Sequence, residues 1–229
     1  MGYRPAVLQH RVLESLGTAT RYTDWLVDII RPHLGDDPIE IGAGLGDHAR
    51  RWLDEGVPRI TLTERDPELA ASLRRRFDGD SRVEVRNLDL LEAEPAQHSA
   101  AVLLNVLEHI DDDVAALRRA RGLAGRVVVL VPAFPFAMSR FDREIGHHRR
   151  YTKATLSTAA RAAGLTVDVL DYVNALGLIG WTVGMKFLRL EPREGKVLSL
   201  WDRHVVPTAR RLEEARKPPF GQSLLLVAH

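Results

Sequence analysis

Short apolar runs alternate along this chain with longer stretches whose apolar positions recur every three to four residues. The runs end or lie at Ile39–Ile41, Arg59–Thr63 (RITLT), Arg82–Arg86, Ala100–Asn105, Arg126–Pro132 (RVVVLVP), Leu165–Tyr172 and Ser223–His229. Each has strand length, and the run at 126–132 is continuously apolar, as a strand covered on both faces must be. Helical spacing covers 7–34, His48–Glu55, Pro67–Phe77, the stretch opened by Asp111-Asp112-Asp113, and Thr152–Ala163. Helices rather than hairpin turns fill the gaps, which predicts an α/β fold: a doubly wound, mostly parallel sheet with helices on both faces. Any ligand then sits at the carboxyl ends of the strands. Two stretches break the alternation. Residues 136–152 carry Asp142, Gly146, His147, His148, Arg149, Arg150 and Tyr151 and form no helical stripe; they follow the fifth strand and should overhang the pocket. Residues 173–220 form an excursion with Trp181, an apolar stretch to Leu190, a turn at Glu191–Lys196 and helical spacing that Pro207 must kink or split.

The first strand runs into Ile39-Glu-Ile-Gly-Ala-Gly-Leu-Gly-Asp-His48. Glycine is required where backbone takes positive φ or lies against a ligand, and Gly42, Gly44 and Gly46 alternate here. The dinucleotide fingerprint G-x-G-x-x-G needs its third glycine at 47, where Asp47 stands, so a pyrophosphate is a poor fit. Glu40 and Asp47 instead offer acceptors to a cationic or amine-bearing ligand, and the ammonium and sulfonium of S-adenosylmethionine have that sign. Glu64, eighteen residues past Gly46 at the end of the second strand, stands where such folds hold ribose hydroxyls on a carboxylate.

Composition narrows the picture. At 229 residues the chain fits one domain, and a net charge of +1 gives no field for gripping nucleic acid. With no cysteine there are no disulfides, thiolate metal sites or cysteine nucleophiles, in accord with a reducing compartment, and no metal-ligand set is read elsewhere. The start has no apolar signal core and no run reaches the ~18 residues of a membrane span, so a cytoplasmic protein is expected.

The pattern Glu-x-Gly-x-Gly-x-Gly at 40–46 resembles the first motif of class I S-adenosylmethionine-dependent methyltransferases. Asn105-Val-Leu-Glu-His-Ile110 resembles the fourth motif of their small-molecule members; the Asn- or Asp-Pro-Pro-Tyr sequence of enzymes acting on DNA or glutamine is absent. Asp142-x-x-x-Gly-His-x-Arg-Arg-Tyr resembles a bacterial subset associated with natural-product and cell-surface glycolipid pathways. The resemblance implies a Rossmann-like seven-stranded sheet whose last strand inserts antiparallel between the fifth and sixth. It implies S-adenosylmethionine as cofactor, leaving as S-adenosylhomocysteine, held by Tyr22, Glu40, Gly42, Ala43, Gly44, Gly46, Glu64, Arg65, Asp89, Leu90, Asn105 and Val106, with Asp89 accepting from the adenine amine. Residues 1–35 would be a helical lid, 36–172 the cofactor-binding core, 173–220 a cap over the substrate and 221–229 the last strand. Asp142, His148, Arg149, Arg150, Tyr151 and Trp181 would touch a small-molecule acceptor, and His147, or else His109, would remove its proton. Residues 175–190 also suit contact with a membrane surface, and the oligomeric state is open between monomer and homodimer. A regulatory or non-methylating protein that binds the same cofactor is the alternative.

Overall fold

In the computed structural model, residues 19–183 and 199–229 are described. The expectations for residues 7–18, the far end of the apolar stretch and the turn at 191–196 lie outside them. Seven strands, β1 (Ile39–Ile41), β2 (Ile60–Glu64), β3 (Val83–Asn87), β4 (Ala101–Leu104), β5 (Val127–Pro132), β6 (Val167–Val173) and β7 (Ser223–Ala228), form one sheet in the order 3-2-1-4-5-7-6. β1 to β5 pair in parallel, and β7 runs antiparallel between β5 and β6, with Leu225 opposite both Leu130 and Asp171. The direction of winding reverses between β1 and β4, and a crevice for a ligand opens where neighbouring strands send their connections to opposite faces.

Strand periodicity explains how one sheet divides its side chains between two cores. Ile39, Ile41, Leu103, Val129 and Leu226 face α4 (Asp113–Leu123) and α6 (Lys153–Ala162), against Leu117, Ala120, Leu156 and Ala160. Leu62, Val102, Leu130 and Leu225 face the other way, against Trp25 and Ile30 of α1 (Thr20–Ile30), Trp52 of α2 (Asp47–Asp54) and Val206 and Ala209 of α8 (Val206–Ala215). Every residue of β4, β5 and β7 is buried, hence sequences that are apolar but for Ser223 at the start of β7. β3, at the edge, keeps Glu84 and Arg86 in solvent.

In α1, Trp25, Leu26, Val27 and Ile30 are at most 2% exposed, so the described part of the N-terminal segment packs one face into the core. α2 begins at Gly46, whose φ is +79°; a Cβ there would lie 2.7 Å from Phe77 and 2.9 Å from Leu73, both on or beside α3 (Pro67–Arg76). Glycine is therefore imposed twice, by backbone and by space. Pro207 lies in the first turn of α8, where its missing N–H costs little, and a π-turn at Trp201–Val205 stands just before it. The stretch expected to be plain loop holds a short helix, α5 (Arg140–Glu144), because Ser139 and Asp142 close a reciprocal capping box. Past β6, α7 (Ala175–Trp181) starts at Asn174, whose carboxamide accepts from Gly177 N–H while Glu213 of α8 accepts the N–H groups of Asn174 and Ala175. That tie fixes α7 beside the carboxyl ends of β5 and β6 and the amino end of the antiparallel β7.

Candidate functional site

The glycine turn after β1 is built almost wholly of backbone. Gly42, Gly44 and Gly46 have φ of +65°, +57° and +79°. Ala43 N–H donates to Thr63 carbonyl and Gly44 N–H to Glu64 Oε2, which seats the turn against the end of β2. A Cβ on Gly42 would lie 2.8 Å from Val106 Cγ2, so the turn also closes on the end of β4. Beneath it Glu40 is 2% exposed; its Oε2 has no hydrogen-bond partner, and its Oε1 lies 3.7 Å from His48 Nδ1. A buried carboxylate oxygen without a donor is costly, and the missing partner is a cation or an N–H group. Asp47, expected to share that task, is instead taken by Arg76 at 2.7 Å.

The ends of β2, β3 and β4 bring the other expected cofactor residues to the same edge. Glu64 accepts Gly44 N–H on one oxygen and Asp66 N–H on the other, both at 3.1 Å. Asp89 caps the turn at Leu90–Glu92 through Leu91 N–H and lies 3.7 Å from Arg65, which is otherwise well exposed. Leu90 differs from expectation, because its side chain is buried in the core and only its backbone remains as a contact. Asn105 is exposed in the left-handed conformation at +53°, next to Val106. Tyr22 is held within the protein by aromatic neighbours and by its hydroxyl. Its ring packs edge-on against Trp25 and Trp201, and its hydroxyl, raised in pKa by burial, bonds Ser223 and Asn174 at the ends of β7 and β6.

The 136–152 loop holds a buried charged knot. Asp142 is fully buried and takes Arg150 in a two-pronged ion pair, Nη2 to Oδ1 at 2.8 Å and Nε to Oδ2 at 3.2 Å, while Ser139 donates both N–H and hydroxyl to Oδ2. Arg150 also donates to Ala133 carbonyl, and its guanidinium lies 4.9 Å from the Trp181 ring. Burial alone would push the Asp142 carboxyl up, but the close His147 ring, the bonds from Arg150 and the charge of Arg150 outweigh it and hold it well below the carboxylate range. Tyr151 is 1% exposed and donates to Asp113 Oδ2. Asp142, Arg150 and Tyr151 were expected to touch the acceptor, and the structure turns all three inward. Their chemistry is absorbed in fixing the loop. His148 and Arg149 stay nearer the surface, within 3.6 Å and 3.5 Å of Asp111, with Arg149 also 3.1 Å from Asp113. Trp181 is half-buried and donates its indole N–H to Ala137 carbonyl.

What the loop delivers is His147. Its Nδ1 lies 3.2 Å from Asp142 Oδ1, close but not well aligned, and its Nε2 lies 3.8 Å from Glu108 Oε1. Its ring meets His109 edge-on at 4.6 Å between centres. Glu108 is fully buried on the single turn after β4, and neither carboxyl oxygen has a hydrogen-bond partner. Burial pushes it up to about 8 and pushes His109 down to about 4. At neutral pH both are held uncharged. Nothing local in the sequence marks Glu108 as buried. Two further residues were missed, Phe134 and Asn174, at φ of +63° and +65° just past β5 and β6. With Asn105 they place a left-handed non-glycine residue beyond each of three strand ends, at the edge where ligands bind. Asn tolerates that conformation and is a weak signal; Phe134 gives none.

The raised Glu108 and depressed His109 act oppositely on stability. Between about pH 4.5 and 6.5 the folded state holds a proton on Glu108 that the unfolded chain has lost, while the unfolded chain holds one on His109 that the folded state lacks, so the slopes offset. From about pH 6.5 to 8 only Glu108 counts. Stability should then fall with rising pH, by about 2 kcal/mol across that window. Urea unfolding at the two ends, with chelator present so that only protons titrate the site, checks this. Glu108→Gln should flatten the slope, and an equal slope in that variant would reject the assignment.

Residues 39–126, from β1 to the start of β5, match the family model of a methyltransferase domain. No curated protein matches the chain by sequence. Among solved structures, an S-adenosylmethionine-dependent methyltransferase from Mesorhizobium loti superposes with a TM-score of 0.60 at 15% identity, over 89% of this chain and 95% of that one. The [4+2]-cyclase SpnF gives 0.56 at 19%, over 89% and 80%. The O-methyltransferase NcsB1 of neocarzinostatin biosynthesis, solved with S-adenosylmethionine and 2-hydroxy-5-methyl naphthoic acid, gives 0.55 at 19%, over 84% of this chain and 48% of its own. Identities this low show a shared fold, and the fold is the Rossmann-like one of these methyltransferases. The family match ends at Arg126, before the loop that carries His147.

Proposed function

We propose that this protein transfers the methyl group of S-adenosylmethionine to an oxygen, nitrogen or carbon of a small molecule. The observation that carries the reading is the unpartnered, buried Glu40 Oε2 under a turn of three left-handed glycines, an acceptor awaiting the ammonium of the methionine end. Glu64 and Asp89, at the ends of the next two strands, would take the ribose hydroxyls and the adenine amine. Bound there, the cofactor supplies an electrophilic methyl group on a sulfonium. The chain's own residues then have two tasks, to hold the acceptor in line at near-attack distance and to take its proton if it is a hydroxyl or ammonium.

The ends of β4 and β5 supply the second task. Glu108, His109 and His147 gather there, and no other titratable cluster of this kind is found among the described residues. The buried Asp142–Arg150 pair holds the loop that carries His147. A single domain acting on a small molecule, in natural-product or glycolipid biosynthesis and in the cytoplasm, accords with the Gly146–Tyr151 motif, and the near-zero net charge speaks against nucleic acid as the substrate. Among the described residues no helix is long and apolar enough to cross a membrane. Exposed Ile179 and Val183 on and beyond α7 leave peripheral contact with a membrane surface, and a homodimer as well as a monomer, within the reading.

The test is calorimetry with S-adenosylmethionine followed by a screen of hydroxylated and amine acceptors for release of S-adenosylhomocysteine. Binding in the micromolar range, about −8 kcal/mol, with turnover on at least one acceptor class is expected. Binding without release across the panel would favour a non-methylating protein on this fold, a fold that the cyclase SpnF also has. No binding would overturn the reading.

A further inference from the structure

The Glu108, His109 and His147 cluster is more than a set of candidate bases. We propose that these three side chains bind a first-row divalent transition cation of the zinc type. One donor atom from each lies within 4.8 Å of the other two, and His147 Nε2 is 3.8 Å from Glu108 Oε1. Ligand bonds of about 2.0 to 2.2 Å put neighbouring donors on one ion roughly 3.4 Å apart, so side-chain rotations of about 1 Å would close the set. Both Glu108 oxygens are fully buried and without a hydrogen-bond partner. A carboxylate so placed asks for a positive ligand, and no lysine or arginine among the described residues reaches it as an ion-pair or hydrogen-bond partner.

The surroundings match what metal-bound histidines need. Such an imidazole turns its second nitrogen to a carboxylate or a backbone carbonyl, which fixes ring and tautomer. His147 Nδ1 faces Asp142, itself anchored by Arg150 and Ser139, and the His109 ring packs edge-on against that of His147. Asp142 is neutralised by Arg150 and would not cancel the ion. Two imidazoles and one carboxylate form a ligand set that leaves coordination positions open, and with no cysteine in the chain the set is of nitrogen and oxygen alone.

The role of such an ion rests on the methyl-transfer reading. It would take the acceptor's oxygen at an open position and lower the pKa of that hydroxyl, which is then lost as a proton to water without a base at His147. His147 is a ligand in that case, and the acceptors favoured are phenols and other acidic hydroxyls. The binding site itself does not depend on that reading.

The full chain, stripped with a chelator and dialysed, should be titrated with Co2+ while the visible d–d band is followed. One equivalent should give a band of four- or five-coordinate cobalt, which Zn2+ bleaches. Glu108→Gln and His147→Asn should each weaken Co2+ binding ~100-fold or more, since even residues behind the ligands are worth 10 to 100-fold. His229→Asn, at an exposed histidine paired with Asp168, should leave it unchanged. If either variant fails to fold, as its melting curve will show, His109→Asn at the third ligand serves in its place. No one-equivalent band in folded protein, or full cobalt affinity in the folded variants, overturns the site. Cobalt bound without S-adenosylmethionine binding would keep the site and reject the methyl-transfer reading.

Discussion

Asp142→Ala is expected to destabilise the protein by about 3 to 5 kcal/mol, the usual result of removing one partner of a buried ion pair. The variant leaves the Arg150 guanidinium 5% exposed, with only Ala133 carbonyl and the face of Trp181 in place of a carboxylate that had taken it on both oxygens. It also removes the acceptor of the Ser139 N–H, and with it the capping box of α5. For a chain of this size each kcal/mol moves the melting temperature by ~2 to 4 °C, so a fall of roughly 6 to 20 °C should be seen at pH 7. Because the folded Asp142 pKa is depressed, its contribution is present above the unfolded value near 4 and lost as pH falls below it. The gap between wild type and variant should therefore narrow in acid. Asp142→Ala combined with Arg150→Met should recover much of the loss, since no charge is then stranded. A single variant within about 1 kcal/mol of wild type, the worth of an exposed pair, would mean that Arg150 finds water instead.

That expectation inverts the sequence reading of the same residues. Asp142, Arg150 and Tyr151 sit in a polar run with no helical stripe, and ionisable residues over a pocket mouth ordinarily read as ligand contacts. What hid their burial is long-range: the acceptor of Tyr151 is 38 residues away, and Arg150 is roofed by Trp181 from α7. The Ser139-x-x-Asp142 cap was local and could have been read as a helix start. By contrast the strands were legible, since β4, β5 and β7 are buried at every position and are apolar but for Ser223. So was the glycine turn, because its alternating glycines all answer to positive φ. The ligand-binding edge followed from strand order once helices were seen to fill every gap. The Glu108, His109 and His147 cluster was not legible, because 38 residues separate His109 from His147 and no spacing motif spans them.

Replacing Glu64 by Gln should weaken S-adenosylmethionine binding by about 1.5 to 3 kcal/mol, the range for a hydrogen bond to a charged group, or roughly 10 to 150-fold. An ionised carboxylate has about four lone-pair sites. In Glu64 two are filled by the N–H groups of Gly44 and Asp66, which leaves one on each oxygen for a ribose hydroxyl. The amide keeps the size of the side chain but turns one oxygen into a donor, and that donor must face either Gly44 N–H or Asp66 N–H. One anchor of the glycine turn is lost, and so is one acceptor for the ribose. Stability should change little by comparison, since Glu64 is only half-buried and Ala43 N–H still holds the turn to Thr63. Calorimetry and urea unfolding on the same sample separate the two effects. An affinity within about 0.5 kcal/mol of wild type, less than an ordinary hydrogen bond, would show that the ribose is held elsewhere. A loss of stability as large as the loss of affinity would show that Glu64 serves the turn and not the ligand.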